Sequence, residues 1–317
     1  MINLSIIIPI FNGEKYIEKC IETIEGQKLA RECAEIIIVD DGSTDFTYDV
    51  CVNLTKRYDN IKLIHKDNGG VSSARNVGLK EASYDFILFV DADDTLEENA
   101  ILSIVNEMDK YDADYYLFSF NKETKRNFIM QQHYRDEGKT VDVEIAYENF
   151  FFDGNNGPWS KLFKLSIIRQ NELFFDETLK IHEDVVFCMR YLECCRSVRY
   201  SDKSIYTYKY NESGAVRNHK LEYISNYSEV YYIWKNYLKS HGLDNYLVTL
   251  NESFVDKMFI ECVKLSKQGK SSQVINMALD NRFFNELNEI KVKKIRYKIE
   301  KQILIKKLYW LFTFLCK

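Results

Sequence analysis

The sequence lacks a long apolar run and a strong net charge, and it contains little proline. No run of about 18 apolar residues occurs, so the sequence predicts no transmembrane helix. The net charge is only −5 although 29% of the residues are charged, and this balance gives no indication of a nucleic-acid-binding protein. Proline is confined to Pro9 and Pro158.

The eight cysteines are not arranged as a metal site. No CxxC pair is present, and the adjacent Cys194 and Cys195 cannot chelate zinc in the usual geometry. The N-terminus has no cationic segment followed by an apolar core and a cleavage site, so we expect no signal peptide. Reduced thiols in a cytoplasmic protein are the simplest interpretation.

The first part of the sequence alternates strand and helix patterns. Aliphatic and aromatic residues make up 46% of the 317 residues, enough for a large core. Apolar runs typical of strands buried on both faces occur at 4–11, 35–40, 61–65 and 86–91. Between them, helical spacing predicts helices at 14–27, about 48–54, and 73–81. Such alternation predicts βαβ units, hence an α/β fold with a mostly parallel sheet flanked by helices.

Beyond about residue 110 the alternation weakens. A further strand is predicted at 113–120, a helix at 143–152 and a turn cluster at 154–158. After about residue 220 the pattern is helical and aromatic, without strand signals. We therefore expect one domain at 1–215, with a first half at 1–110 and a second at 111–215, followed by a helical region at 216–317.

Polar residues follow four predicted strands, at the sheet edge where open α/β sheets bind ligands. Taken singly, Asp41-Gly42 is a turn, Gly69-Gly70 is a loop, Arg75 is a surface cation and the Asp-Ala-Asp-Asp segment 91–94 caps a helix. These interpretations do not explain why the groups coincide at one edge. Crowded carboxylates repel one another unless a cation or hydrogen-bond donors accompany them.

The chemistry that suits this edge is binding of a sugar nucleotide. A carboxylate such as Asp41 can accept the imide N–H of uracil or a ribose hydroxyl. Asp91 and Asp93 are two residues apart, so at an extended strand end they would point the same way. Their oxygens suit Mg²⁺ or Mn²⁺, and such an ion would offset charge on a leaving diphosphate.

Several segments together resemble one known family. They are SIIIPIFNGEKYIEKCIETI near the start, then IIIVDDGSTD, NGGVSSARNVGL, FILFVDADD, PWSKLF (158–163) and HEDVVF (182–187). In this order and spacing, over about residues 4–215, the chain resembles the inverting glycosyltransferases of family two, which have the Rossmann-like GT-A fold. The resemblance implies a catalytic domain at 1–215, with a nucleotide-binding half at 1–110 and an acceptor half at 111–215.

The resemblance also implies a role for individual residues. Asp184 would be the general base, and Asp93, with Asp91, would bind the metal. The remaining donor-site residues would be Pro9, Phe11 and Glu14 lining the nucleotide pocket, Asp41 at the base, Asn68 and Arg75 at the base or phosphates, Asp91 at ribose or metal, Ala92 between the two aspartates, Trp159 and Lys161 near the acceptor or diphosphate, and Ser213 as a diphosphate contact.

Asp184 also fits its role on chemical grounds. A sugar hydroxyl is a poor nucleophile until a positioned carboxylate takes its proton, and one base opposite the leaving group gives in-line displacement with inversion. The alternative is that Glu183 and Asp184 merely begin a helix, where acidic residues favour the dipole. His182 and His219 are candidates for a third metal ligand, but a lone histidine is more often structural.

Three other classes of protein fit the sequence less well. FVDADDTL fits the DxDx[TV] motif of haloacid-dehalogenase-like phosphatases, but that motif normally ends the first strand, and here three βα units precede it. A dinucleotide-dependent oxidoreductase would need the GxGxxG that is missing after the first strand. A non-catalytic sugar-nucleotide-binding protein is disfavoured because Asp91, Asp93 and Asp184 are all present.

The expected substrates are a UDP-sugar donor and a glycan or lipid-linked acceptor of capsule, exopolysaccharide or cell-wall type. The segment 291–317 holds nine Lys or Arg residues against Glu300 alone, and it ends in the apolar run 308–316. That run is too short to span a bilayer. The segment predicts peripheral contact with an anionic membrane; the alternative is that 308–315 packs on the catalytic domain and the lysines are simply solvated.

Overall fold

The computed structural model describes residues 3–126, 128–153, 156–211 and 219–306. The chain divides into two compact units: Met1–Glu177 with Glu183–Asn211, and Thr178–His182 with Glu212–Lys317. Ser213 and the apolar run 308–316 lie outside the described residues.

The first unit is built on one sheet with flanking helices. Its strands are β1 Leu4–Ile10, β2 Ala34–Asp40, β3 Ile61–His65, β4 Phe86–Phe89, β5 Thr95–Leu96, β6 Tyr115–Glu123, β7 Ile129–Gln132, β8 Thr140–Asp142, β9 Lys161–Lys164 and β10 Ser197–Tyr208. Its helices are α1 Ile17–Glu25, α2 Ala30–Cys33, α3 Thr47–Arg57, α4 Val71–Glu81, α5 Ala100–Lys110, α6 Val143–Asp153, α7 Leu165–Gln170 and α8 Glu183–Leu192.

The sheet is parallel in its first half and mixed beyond it. The strand order is β3-β2-β1-β4-β9-β6-β10-β5, with β7 on β6 and β8 on β10. Strands β1 to β4 are all parallel, as the alternation predicts, and β10 is parallel to β6. Strand β9 is antiparallel to both β4 and β6, and it joins the two halves into one sheet. The α/β prediction is confirmed.

Close packing of α4 on β1 positions the first part of the site. All seven residues of β1 are buried, as expected of a central strand. A Cβ at Gly78 of α4 would lie 2.3 Å from Cγ2 of Ile7, so only glycine lets the helix come this near to the strand. Arg75 and Asn76, within one turn before Gly78 on α4, are thereby held against the sheet and are buried.

The second unit is helical, which confirms the prediction for the C-terminal region. Its helices are α9 Glu222–Ser240, α10 Leu247–Lys267, α11 Ser271–Asp280, α12 Arg282–Asn285 and α13 Ile295–Ile305. Aromatic rings fill its core, where Tyr231 contacts Phe254 and Phe283. Within the described ranges, no helix combines the length and the hydropathy needed to cross a bilayer.

Candidate active site

The loop after β1 is tied to the loop after β2. Oε2 of Glu14 accepts a hydrogen bond from the backbone N–H of Phe46 at 3.0 Å. Oδ1 of Asn12 accepts one from the backbone N–H of Thr44 at 2.8 Å. Glu14 therefore holds two loops together at the sheet edge. This structural function is separate from its predicted role in lining a nucleotide pocket, which stays a prediction.

Pro9 and Phe11 differ in their accessibility. Pro9 lies in β1 and is buried, so it shapes the edge through the backbone. The Phe11 side chain is 50% exposed. An exposed ring at the carboxyl end of a parallel strand is suited to stacking on a flat ligand.

Asp41 organises the glycine loop that precedes α4. Its carboxylate accepts hydrogen bonds from the backbone N–H groups of Gly69 at 3.0 Å and Gly70 at 2.7 Å, and Nζ of Lys66 lies 2.6 Å from Oδ1. Gly42 has a φ of +73°, and a Cβ there would lie 2.8 Å from the backbone nitrogen of Asn68. Asn68 itself is exposed. The contacts predicted for Asp41 and Asn68 with a nucleotide base remain predictions.

The segment 91–94 forms a turn, which corrects one step of the sequence argument. Strand β4 ends at Phe89, and the backbone N–H of Asp94 donates to the carbonyl of Asp91 at 3.0 Å. The chain is therefore not extended from Asp91 to Asp93, and the argument that their side chains point the same way because of strand geometry is wrong. Asp91, Ala92 and Asp93 are each partly exposed.

The end of β10 fixes this turn. The Tyr206 hydroxyl donates to Oδ2 of Asp94 at 2.5 Å and accepts from the backbone N–H of Asp91 at 3.2 Å. The backbone N–H of Lys209 donates to Oδ1 of Asp94 at 2.7 Å, and Asn211 Nδ2 donates to Oδ2 of Asp93 at 2.8 Å. No local sequence pattern indicates Tyr206, Lys209 or Asn211 as partners of this turn, because they are more than 110 residues away from it.

Arg75 links the turn to helix α8. Its Nη2 lies 3.0 Å from Oδ1 of Asp91, and its Nη1 lies 3.2 Å from Oε1 of Glu183. Its guanidinium also lies 5.3 Å from the centre of the Phe175 ring. The Arg75 side chain is only 6% exposed. The structure therefore brings two sequence-predicted groups, 91–94 and 183–184, to one arginine.

Glu183 and Asp184 form the first turn of α8. Burial, followed by the charge of Asp184, raises the pKa of Glu183 to about 7. Burial also raises the pKa of Asp184, an effect that Arg75 opposes. Oδ1 of Asp184 accepts from the backbone N–H of Val185 at 2.7 Å, one of the N–H groups that a helix start leaves without an intrahelical partner. Asp184 therefore both contributes a hydrogen bond to the start of α8 and has a raised pKa.

Trp159 and Lys161 lie beside this region on the β9 side. The Trp159 ring stacks on Tyr206 with centroids 5.4 Å apart. Lys161 is fully buried, and burial lowers its pKa to about 8, an effect opposed first by Cys188 and then by Asp184. Its Nζ lies 5.4 Å from the centre of the Trp159 ring. A lysine with this lowered pKa is readily switched between its two protonation states near neutral pH.

The two candidate histidines have other surroundings. Nδ1 of His219 lies 2.7 Å from Oε2 of Glu261, within the second unit. Burial lowers the pKa of His182 to about 3, so its ring is neutral. Across the described residues, no group of three or more His, Cys, Asp or Glu side chains is arranged to hold a metal ion.

The residues of the turn nevertheless fit a metal held jointly with a ligand. Mg²⁺ in nucleotide sites is commonly bound by one or two carboxylates together with phosphate oxygens and water. Asp91 and Asp93 offer oxygen ligands of that type and are partly exposed. The donor set therefore suits Mg²⁺ or Mn²⁺, provided that a bound ligand and water supply the remaining oxygen atoms.

Comparison with known proteins identifies the family. The profile described as "Glycosyl transferase family 2" matches residues 5–192, more than half of the chain. The chain belongs to glycosyl transferase family 2. The match contains all four strand ends of the site as well as Glu183 and Asp184.

One curated relative of this family-two chain is the poly(ribitol-phosphate) beta-glucosyltransferase of Bacillus spizizenii. It is 32% identical over 188 residues, which cover 59% of this chain and 29% of that protein. The chain spans less than two-thirds of the length of the first curated relatives it matches.

Solved structures share its GT-A fold. Residues 1–349 of TarS from S. aureus, in complex with UDP-GlcNAc, give a TM-score of 0.67 at 21% identity, covering 98% of this chain and 90% of that one. The mannosyltransferase PcManGT from Pyrobaculum calidifontis, in complex with GDP-Man and Mn²⁺, gives 0.57 at 12% identity, covering 98% and 86%. These likenesses confirm the predicted fold.

Proposed function

We propose that this chain is an inverting glycosyltransferase that moves a sugar from a UDP-sugar to a hydroxyl of a glycan or lipid-linked acceptor. The observation that carries the proposal is the Arg75 bridge from Asp91 to Glu183. This bridge supports the proposal because Arg75 contacts both Asp91, which we assign to a metal-bound diphosphate, and Glu183, the neighbour of the proposed base Asp184. A donor and an acceptor can therefore react at this place.

Arg75 has capacity left for a ligand. Its Nε is buried and has no hydrogen-bond acceptor among the residues that the structure describes. A buried unpaired donor is costly, and a phosphate oxygen would satisfy it. We assign Arg75 to the donor's diphosphate, with Phe11 and Asp41 on the nucleoside side as the sequence predicts. TarS, which shares the fold, binds UDP and UDP-GlcNAc.

Asp184 is assigned as the general base. Its carboxylate takes the proton of the acceptor hydroxyl while the hydroxyl oxygen forms the new bond to the anomeric carbon. The bond from that carbon to the diphosphate breaks, and the electron pair leaves with the diphosphate. Glu183 stays paired with Arg75 and keeps the cation in place.

Mg²⁺ or Mn²⁺, bound at Asp93 and Asp91, would offset the negative charge of the departing diphosphate. The names of the relatives, which include two poly(ribitol-phosphate) transferases, support the proposed type of acceptor. A cytoplasmic protein with peripheral membrane contact through 291–317 would meet such an acceptor where lipid-linked glycans are assembled.

The base assignment is tested by Asp184→Asn. The amide keeps the shape and the hydrogen bond from Val185 but cannot take a proton. Transfer should fall on the order of 10²- to 10⁴-fold, while the Kd for UDP measured by calorimetry stays near the wild-type value.

Glu183→Gln is the matched control, because it changes the neighbouring carboxyl in the same way and still accepts from Arg75. It should keep most of the transfer rate. Near-normal transfer by Asp184→Asn, or an equal loss in both variants, would remove Asp184 from this role.

A further inference from the structure

A groove lined with lysines lies on the second unit. Its volume is about 520 Å³, and the residues that line it, all within 219–306, include no aspartate or glutamate. The residues that give it its charge, called here the lysine groove, are Lys291, Lys293, Lys298 and Lys301. Such a groove attracts anions, because four cations face one space.

Three acidic residues near the groove, Glu252, Asp256 and Glu300, have partners outside the four groove lysines' ammonium groups. Oε1 of Glu252 accepts from the backbone N–H groups of Lys293 and Lys294 at 2.9 Å. Arg296 binds Asp256 and Glu300. Of the groove lysines, Lys301 donates to the carbonyls of Asn288 and Ile290, at 3.2 and 2.8 Å, so it is the one most fixed in place. Among the described residues, no carboxylate lies within ion-pair distance of the ammonium group of any of the four groove lysines.

A row of isoleucines runs beside the groove. Ile295, Ile299 and Ile303 are four residues apart on α13, so they lie on one helical face. This isoleucine ridge borders a second space of about 380 Å³ that shares Lys298 and Gln302 with the lysine groove. Ile295 is 75% exposed and Ile299 is 56% exposed. Exposed aliphatic residues in a row, flanked by lysines, combine the apolar and the basic groups that bind an anionic membrane interface.

We propose that the lysine groove and the isoleucine ridge together form a docking surface for an anionic lipid bilayer. The groove receives negatively charged headgroups, and the ridge enters the boundary of the acyl chains. The ridge decides between a bilayer and a soluble phosphate polymer, because a polymer of that kind offers nothing apolar to cover it. This surface rests on the peripheral membrane contact proposed above for 291–317 and assigns it to particular residues, but it does not depend on the proposed catalytic chemistry.

The test is flotation of the full-length protein with vesicles of phosphatidylglycerol and phosphatidylcholine. We expect binding to the anionic vesicles, weakening with salt, and none to phosphatidylcholine alone. Lys291→Gln with Lys298→Gln should lower the partition coefficient roughly 30-fold, since each lysine near an anionic leaflet contributes about fivefold. Ile295→Ser with Ile299→Ser should lower it about tenfold or more.

Lys264→Gln with Lys267→Gln, two exposed lysines at the end of α10, is the control for charge and should bind like the wild type. These positions are all exposed, so circular dichroism should show an unchanged fold. Donor hydrolysis without vesicles should be the same in every variant, which separates this proposal from the catalytic one.

Three results would overturn the proposal. One is a wild-type protein that fails to float with anionic vesicles. A second is that the isoleucine variants float normally, while the lysine variants lose binding both to vesicles and to inorganic polyphosphate. That result would make the groove a site for soluble anions. The third is loss of flotation only with Trp310→Ser and Phe312→Ser, which would assign the contact to the terminal run.

Discussion

At the scale of single residues, Arg75 is the point on which the proposed site depends. It is buried, it contacts a carboxylate on each side, and removing it would leave Asp91 and Glu183 without a counter-charge. Lysine is not an equivalent replacement, because the contact to two carboxylates uses two nitrogens of one planar fork. The arginine also explains how Glu183 and Asp184 can be adjacent and largely buried without forcing the helix start apart.

The pH dependence of Glu183 and Asp184 gives a residue-scale prediction. Both carboxyls have a raised pKa, so a base at Asp184 is protonated at pH values where an ordinary aspartate is not, and transfer should rise as the pH increases. The free energy of unfolding should change with pH in the opposite direction to the rate of transfer. Between pH 4.5 and about 7 the folded chain keeps the Glu183 proton that the unfolded chain releases, so the free energy of unfolding should fall over that window.

Rates of transfer and urea unfolding, each measured from pH 4.5 to 8, check both slopes. In Glu183→Gln, the free energy of unfolding should decrease less between pH 4.5 and 7 than in the wild type. The rate of transfer should still be lower at acidic pH. A rate that does not change with pH in this range would contradict the prediction.

At the scale of elements, strand β10 and the residues after it hold the turn 91–94 in place. The turn follows a short strand, and two of its acidic side chains are held from β10 or the residues directly after it. Burial, followed by the charge of Asp91, raises the pKa of Asp94 to about 8. Asp94 is thus best suited to holding the turn through Tyr206, while Asp91 and Asp93, which are partly exposed, are the two that we propose as metal ligands.

Tyr206→Phe tests this support. It removes the hydroxyl but keeps the ring that stacks on Trp159, and it leaves a buried Asp94 oxygen without its donor. We expect a loss of about 1–3 kcal/mol in the free energy of unfolding and roughly 10- to 100-fold weaker Mn²⁺ affinity in the presence of UDP. Calorimetry with and without Mn²⁺ measures the second effect.

Tyr200→Phe is the control, since Tyr200 is an equally buried tyrosine of β10. It should cost stability without affecting the Mn²⁺ affinity. If both variants lose Mn²⁺ affinity alike, β10 acts only through general stability.

Elements differ in how far the sequence could predict them. Strands β1 and β2 are continuous aliphatic runs buried on both faces, so composition alone indicates them. The predicted strand at 86–91 is too long by two residues, because the acidic turn begins where hydrogen bonding to β10 becomes available. Strand β9, which has only four residues, and the twelve-residue β10 carry no clear pattern, since their pairing depends on distant partners. Tyr206, Lys209 and Asn211 could not be predicted for the same reason, because their partners are distant in the sequence.

At the scale of the whole molecule, the site residues come from segments between 9 and 211, which belong to one compact unit. The chain enters the second unit at Thr178–His182 and returns at Glu183. The sequence could indicate which residues gather at the sheet edge, because parallel strands end together. It could not show that the two acidic groups share Arg75, since that contact joins residues 108 positions apart.

The overall activity is tested with a panel of nucleotide sugars. Slow hydrolysis of a UDP-sugar, lost on chelation with EDTA and restored by Mn²⁺ or Mg²⁺, is the expected result. Asp93→Ala should abolish the stimulation of UDP binding by Mn²⁺ and leave the fold unchanged by circular dichroism. A preference for phosphomonoesters, or binding without any turnover, would contradict the proposal.

The placement of the cysteines has a practical consequence for labelling. Of the seven described cysteines, six are buried and Cys194 is partly exposed. Burial raises the pKa of the Cys194 thiol as well, and a thiol with a raised pKa reacts slowly. Apart from Cys316, which is outside the described residues, the native thiols should therefore resist maleimide dyes. Phe46 is 71% exposed in the loop held by Glu14. A cysteine at this position should react with the dye before the described native thiols do. The labelled protein would then report donor binding by a change in fluorescence.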